Sequence, residues 1–375
     1  MAAGDWQGAA TALRHEGAKK GVEAVLHAAA SAGIGRAALR HYRGVAVQDE
    51  RLRTSIGSIP LDGPFGLGAG WDKTGKTILA WQLLGARHIT VGGIPLWPQG
   101  GKSAPRLRTF AAHVSDHGVG KSLNSYGFPS GGAYVVGREI AHQRELGATI
   151  PIIAQVVANA EMYEPRYLPD IPVHLAEAVR ILLRTGAAPD AISLGLSSPN
   201  TPGARGAQDD YSFMRDTVVH VQGAISHYSD REIPVIYKGD GDGGDQRLDL
   251  YCSLANETGV ALELVNTTSL RHIKAKYEAE DLPGGLAGAD PDYQALALRS
   301  VRYVFENTSV PIIGIGGVDS AEHGLAMVQA GASAVGINTG IRTLGLGAFT
   351  LLEGQMLAGF GPDEGVAQHV GAASA

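Results

Sequence analysis

A chain of 375 residues with 44% hydrophobic content can fill one large α/β core, and a net charge of −6 with 18% charged residues leaves no broad basic field to hold nucleic acid. The single cysteine, Cys252, excludes an intramolecular disulfide and any group held by clustered cysteines, and it fits a reducing cytoplasm. The start lacks a secretory pattern, and no apolar run approaches the ~20 residues of a membrane span.

Residues 1–48 are alanine-rich, with Val22, Val25, Leu26 and Ala29 at helical spacing and Gly33 and Gly35 as breakers. They predict a helical extension packed on the main domain, whose contact with a membrane is at most peripheral. The main domain is expected over residues 49–360, followed by a flexible tail over 361–375. Short apolar runs predict strands at 65–69, 88–92, 150–157, 191–196, 234–238, 261–265, 311–315 and 334–337. Helical patterns fill the gaps at 76–84, 133–144, 174–184, 211–227, 247–257, 291–306, 321–330 and 344–357. Strand then helix, eight times over, with strands that are mostly unbroken apolar runs, predicts a (β/α)8 TIM barrel; a doubly wound open sheet is the alternative.

A barrel of this kind carries its chemistry at the carboxyl ends of its strands. Those ends supply Gly68, Ala69, Gly70, Asp72 and Lys73, then Gly93, then Gln155, then the loop 196–203. In that loop Pro199 and Pro202 push Ser198 and Thr201 out of the helical region, which holds their hydroxyls in place, although the same residues also make ordinary turns. Further on come Lys238, the triplet Asn266-Thr267-Thr268, Gly316-Gly317 and Asn338-Thr339-Gly340. The last two groups suit a phosphate, since glycine lets backbone N–H groups approach an anion and a helix start favours negative charge; the alternative is that the glycines only make turns. Lys73 and Lys238 can hold a carboxylate or stabilise an anionic ring, unless Asp72 and Asp240 pair with them. Asn124, Asn200 and Asn266 offer donors and acceptors to a ring with amide edges. The acidic glycine run 240–245 lacks the spacing of a calcium loop and reads as solvated, and the histidines lack metal spacing, so no metal is expected.

Several of these runs occur together in an order that resembles the dihydroorotate dehydrogenase family, quinone-linked class. They are Phe65-Gly66-Leu67-Gly68-Ala69-Gly70-Trp71-Asp72-Lys73, Pro105-Arg106-Leu107, Asn124-Ser125-Tyr126-Gly127-Phe128, Ser197-Ser198-Pro199-Asn200-Thr201-Pro202-Gly203, Asn266-Thr267-Thr268, Gly284-Gly285-Leu286-Ala287-Gly288 and Gly314-Ile315-Gly316-Gly317. The resemblance implies an FMN enzyme in which the residue before Pro-Asn, here Ser198, takes a proton from C5 of dihydroorotate while the C6 hydride passes to flavin N5. It implies Thr201 as a proton relay, and Lys73, Asn124, Asn200, Asn266 and Thr267 as substrate ligands. Ala69, Gly70, Gly93, Gln155, Lys238, Gly288, Gly316, Gly317, Asn338 and Thr339 are the implied FMN contacts, and a quinone is the implied acceptor. The chain departs from the family pattern in one pocket, with Gly195 and Gln155 where asparagines stand, Gly93 for a threonine and Asn338 for a tyrosine. Those changes open a second expectation, a related flavoenzyme acting on a different ring or amino-acid-derived acid. A third is a barrel that binds flavin or a phosphorylated ligand without redox turnover.

Overall fold

The computed structural model describes residues 47–104, 106–110 and 121–372, so all but the last two positions of the expected N-terminal extension lie outside it. The described chain forms thirteen strands, numbered β1–β13 in order. β1 (Thr54–Ile56) and β2 (Ile59–Leu61) make an antiparallel hairpin. β3 (Phe65–Leu67), β4 (Ile89–Ile94), β7 (Ile152–Val156), β8 (Ala191–Leu194), β9 (Val235–Lys238), β10 (Ala261–Leu264), β12 (Ile312–Ile315) and β13 (Ala334–Ile337) close into a parallel barrel, with β13 paired back to β3. All eight are predicted strands, and closure rules out the open sheet. β5 (Leu107–Phe110), β6 (Lys121–Asn124) and β11 (Gly285–Gly288) form a separate antiparallel sheet over the barrel mouth.

The barrel strands are short and buried on both faces, which is why they read as unbroken apolar runs rather than alternating ones. Four begin just after a proline, and the carbonyls of Pro64, Pro151, Pro234 and Pro311 each accept from the neighbouring strand. Proline has no N–H to lose from the ladder, so a strand start is where it does least harm. The hairpin seals the floor: Ile56, Ile59 and Leu61 pack with Ile153, Ile236 and Ile313 from the amino-terminal ends of barrel strands.

Three of the described α-helices start on a side-chain cap. Asp210 accepts from Phe213 N, Asp290 from Asp292 N and Tyr293 N, and Ser320 from His323 N. The last expected helix differs: residues 340–344 form a separate short helix, Gly345 at φ 79° breaks the chain, and Ala348–Gly359 follows. Where a flexible tail was expected, Val366–His369 is helical with Val366 fully buried, and Gly371 N donates to Val328 O. The acidic run is not solvated either. Asp240 is fully buried and accepts from Arg247 Nη1 at 2.9 Å, while Asp242 accepts from Thr268 Oγ1 and Ser269 N, both at 2.7 Å.

His88, just ahead of β4, lies against Gly66, where any Cβ would fall 2.2 Å from the imidazole. Its Nδ1 is buried without a partner, and burial lowers its pKa from 6.5 to about 4. A histidine that must stay neutral in the fold leaves stability intact above pH 6.5 and removes it as pH falls toward 4, by about 3 kcal/mol at the lower end. Urea unfolding at pH 7 and pH 4.5 is expected to show that loss in the wild type and a smaller one in His88→Gln. Equal pH slopes would place the acid sensitivity elsewhere.

Candidate active site

All eight barrel strands end on one cavity that opens to solvent, about 1120 Å³ of empty space with its open mouth included, with the β5–β6–β11 sheet as its outer wall. Nine of its lining residues are glycine, among them Gly68, Gly70, Gly93, Gly195, Gly316 and Gly317. Bare backbone on so many sides leaves a flat, deep space and exposes peptide groups to whatever fills it. Among the described residues three cations, Lys73, Lys238 and Arg342, face the cavity and no Asp or Glu does. Such a lining suits a planar ligand carrying negative charge.

Each strand end contributes through its own local chemistry. After β3, Asp72 is buried and ties the loop by accepting from the backbone N–H of Thr74, Gly75 and Thr77. It is therefore occupied, and Lys73 points instead at the Gly70 carbonyl and lies 4.4 Å over the Tyr126 ring. After β8, Ser197 is fully buried and Ser198 is 4% exposed, its Oγ accepting from Asn200 N at 3.2 Å. Asn200 Nδ2 donates to Asn124 Oδ1 at 3.0 Å, and Asn266 Nδ2 donates to Ser197 Oγ at 3.0 Å. The loop after β8 is thus fastened to the outer sheet on one side and to the β10 loop on the other.

Thr201 and Gly288 do not line the cavity. Thr201 Oγ1 is buried with no hydrogen-bond partner among the described residues, and only the backbone links it to Ser198, N to O at 3.3 Å. Gly288 stands behind Gly317, whose would-be Cβ would fall 2.4 Å from the Gly288 carbonyl oxygen. Every other expected site residue lies on the cavity wall: Lys73, Asn124, Ser198, Asn200, Asn266, Thr267, Ala69, Gly70, Gly93, Gln155, Lys238, Gly316, Gly317, Asn338 and Thr339.

Sequence reasoning missed Leu107, Tyr293 and Arg342, which also face the cavity. Arg342 lies three residues beyond Thr339, and its guanidinium stands 5.8 Å from the Trp71 ring centre. Its Nη1 is buried without a hydrogen-bond partner, and burial lowers its pKa. It also missed Glu263, whose signal was visible as one acid inside an apolar strand. Lys238 pairs not with Asp240 but with Glu263, Nζ to Oε1 at 2.5 Å.

The four departures from the family pattern have local reasons. A Cβ at Gly195 would meet Val157 Cγ1 at 2.9 Å and Gln155 Cδ at 3.1 Å, so the longer side chain at 155 occupies the room that a side chain at 195 would need. A Cβ at Gly93 would meet Val157 Cγ1 at 2.6 Å and Phe128 Cδ1 at 2.8 Å. Asn338 donates from Nδ2 to Ala69 O at 2.5 Å, and its carbonyl accepts from Trp71 Nε1 at 2.9 Å. Gly195→Asn is expected to overpack this wall at a cost of about 1–3 kcal/mol, read by urea unfolding. Adding Gln155→Asn should return most of it; no recovery would mean that the two positions are not coupled.

Among the described residues no helix is long and apolar enough to cross a membrane, and no group of three or more His, Cys, Asp or Glu could hold a metal. The described architecture has solved counterparts. A chain of the DHODH of Eimeria tenella, crystallised with ferulenol, superposes with a TM-score of 0.75 at 22% identity over 90% of this chain and 93% of its own, which establishes the shared fold. In sequence, the dihydroorotate dehydrogenase (quinone) of Streptomyces griseus is 29% identical over 78% of this chain and 76% of its own length. That of Cereibacter sphaeroides strain KD131 is 30% identical over 80% of each. The dihydroorotate dehydrogenase family model matches residues 51–357. A match of that span, running from the floor hairpin to the last barrel helix, means that the chain belongs to the dihydroorotate dehydrogenase family, FMN-dependent oxidoreductases acting on CH–CH groups.

Proposed function

We propose that this chain oxidises dihydroorotate to orotate, a step of pyrimidine biosynthesis, with FMN as cofactor and a quinone as final acceptor. The observation that carries this reading is Ser198, a hydroxyl at 4% exposure on the wall of a cavity lined, among the described residues, by three cations and no acid. The substrate is a six-membered ring with amide edges and a carboxylate, and the lining has the complementary groups. Lys73 takes the carboxylate, while Asn124, Asn200, Asn266 and Thr267 hold the ring edges; two of these asparagines are already fixed by their bond to each other. The bare backbone of Gly68, Gly70, Gly93, Gly316 and Gly317 on the wall fits FMN, and Gly317 cannot carry a side chain because its Cβ would strike the Gly288 carbonyl behind it. Ala69, Gly70, Gly93, Gln155 and Lys238 border the ring, and Gly316, Gly317, Asn338 and Thr339 take the phosphate, with Gly288 supporting Gly317.

Bound FMN supplies the hydride acceptor for C6 of the substrate. Ser198 removes the C5 proton. A serine is a poor base in water, and the burial of this loop is what makes the role workable, because water does not compete and the proton must leave by a defined route. Thr201, whose buried hydroxyl has no hydrogen-bond partner among the described residues, relays that proton onward to water. A quinone would serve as the final electron acceptor, and any contact with a membrane falls to residues 1–48 of an otherwise cytoplasmic protein.

Anaerobic mixing of the flavin-loaded protein with dihydroorotate tests the proposal, with loss of absorbance near 450 nm as the expected result. Protein that carries flavin but is not bleached would favour the second reading, a flavoenzyme for a different ring or amino-acid-derived acid. The specific observation behind that alternative is the reshaped wall at Gly195 and Gln155.

A further inference from the structure

Beneath the cavity, inside the barrel, lies a polar layer with no counterpart in the reading above. Gln155 Nε2 donates to Ser193 Oγ at 3.4 Å, Ser193 Oγ donates to Glu263 Oε2 at 3.3 Å, and Lys238 Nζ donates to Glu263 Oε1 at 2.5 Å. Four neighbouring barrel strands supply these groups, and Glu263 stands directly across from Lys238 in the ladder. Gln155 and Lys238 reach the cavity; Ser193 and Glu263 are both fully buried below them.

A carboxylate inside a barrel has to be explained. Taking a charge out of water is costly, and a buried ion pair is commonly no more stable than two apolar side chains of similar size. Stability alone therefore does not account for Glu263 in the strand Ala261–Leu264, whose other three residues are apolar. Its effect is on Lys238. One carboxylate oxygen fixes the ammonium in a single place, and its negative charge offsets the positive charge that Lys238 would otherwise present to the cavity. Attraction and cancellation are both strong here, because little water screens the pair.

We propose that Glu263 is a positioning residue that pins Lys238 and neutralises its charge, so that a flavin in the cavity is harder to reduce than Lys238 alone would make it. This rests on the FMN reading. Reduction adds negative charge to the flavin, and a bare cation beside it stabilises the reduced form, whereas a neutral pair does so much less. Ser193, itself held by Gln155, occupies the second carboxylate oxygen and leaves the other turned toward Lys238.

The test is the reduction potential of the bound flavin, measured by equilibration with reference dyes in the whole protein. Glu263→Gln keeps the shape and removes the charge. At a fixed poise it should raise the ratio of reduced to oxidised flavin at least tenfold, an upward shift of about 30 mV for a two-electron couple. Glu263→Asp, which restores the charge, should return the ratio toward wild type. A ratio within twofold of wild type in Glu263→Gln, even with a lowered melting temperature, would overturn the proposal by leaving the pair a purely structural role. Should Glu263→Gln fail to hold flavin, the double variant Lys238→Gln/Glu263→Gln decides. Removing both charges together should leave the ratio within threefold of wild type, while a tenfold fall, the mark of a lost uncompensated cation, overturns the proposal. If the wild-type protein binds no flavin, the FMN reading fails instead, and that outcome is visible before any variant is made.

Discussion

Ser198→Ala is expected to leave the flavin content unchanged and to slow its reduction by dihydroorotate by about 10²–10⁴-fold, the range over which a positioned general base contributes. The two effects separate because the hydroxyl does little for the fold. Its one hydrogen bond in the structure is as acceptor from Asn200 N, worth about 1 kcal/mol. The loop keeps its other fastenings, Asn200 to Asn124 and Asn266 to Ser197. Anaerobic stopped-flow gives the rate, and the absorbance spectrum of the purified variant gives the flavin content. Reduction within tenfold of wild type would move the base to another group. Thr201→Val is the companion measurement: its hydroxyl makes no hydrogen bond among the described residues, so slower reduction without loss of stability would mark it as the relay.

The barrel was legible because each of its strands is a separate apolar run flanked by a helical pattern, and eight such units in a row imply closure even though the closing pair, β13 with β3, joins residues far apart in the chain. The outer sheet was not. β6 pairs with β11, some 160 residues away in the chain, and β11 is Gly285-Leu286-Ala287-Gly288, which has no strand periodicity at all. The floor hairpin escaped for a different reason: its strands are three residues each, too short for a pattern. In the site, the glycines and lysines at strand ends could be found because a parallel barrel gathers those positions at one mouth. Arg342 could not, since it sits on a five-residue helix beyond the strand end, and nothing local says which way that helix turns. Asp240 was misjudged because a run of Asp and Gly looks solvated; its partner Arg247 lies on the following helix, where the side chain folds back over the loop. Burial of a charge is decided by such tertiary partners and not by the residues beside it.

The same logic gives the largest effect expected on stability. Arg87, ahead of β4, makes a forked pair with Glu353 on the helix Ala348–Gly359, Nε to Oε1 at 2.7 Å and Nη2 to Oε2 at 2.5 Å, with the side chains 5% and 1% exposed. Arg87 Nη2 also donates to Val47 O at 2.6 Å. The pair therefore ties the last barrel helix to the edge of β4 and to the first described residue of the chain, close to the seam where β13 meets β3. Burial raises the pKa of Glu353 despite the guanidinium beside it, so the desolvation penalty is large and the attraction only offsets it. Removing one partner should then be far worse than removing both. Glu353→Leu, which leaves Arg87 buried without its carboxylate, is expected to cost about 3–5 kcal/mol, whereas Arg87→Met/Glu353→Leu should unfold within about 1–2 kcal/mol of wild type. Urea midpoints of the three proteins at pH 7 decide it. A double variant as unstable as the single one would mean that the pair contributes net energy and that the seam depends on its geometry, not merely on the absence of an unpaired charge.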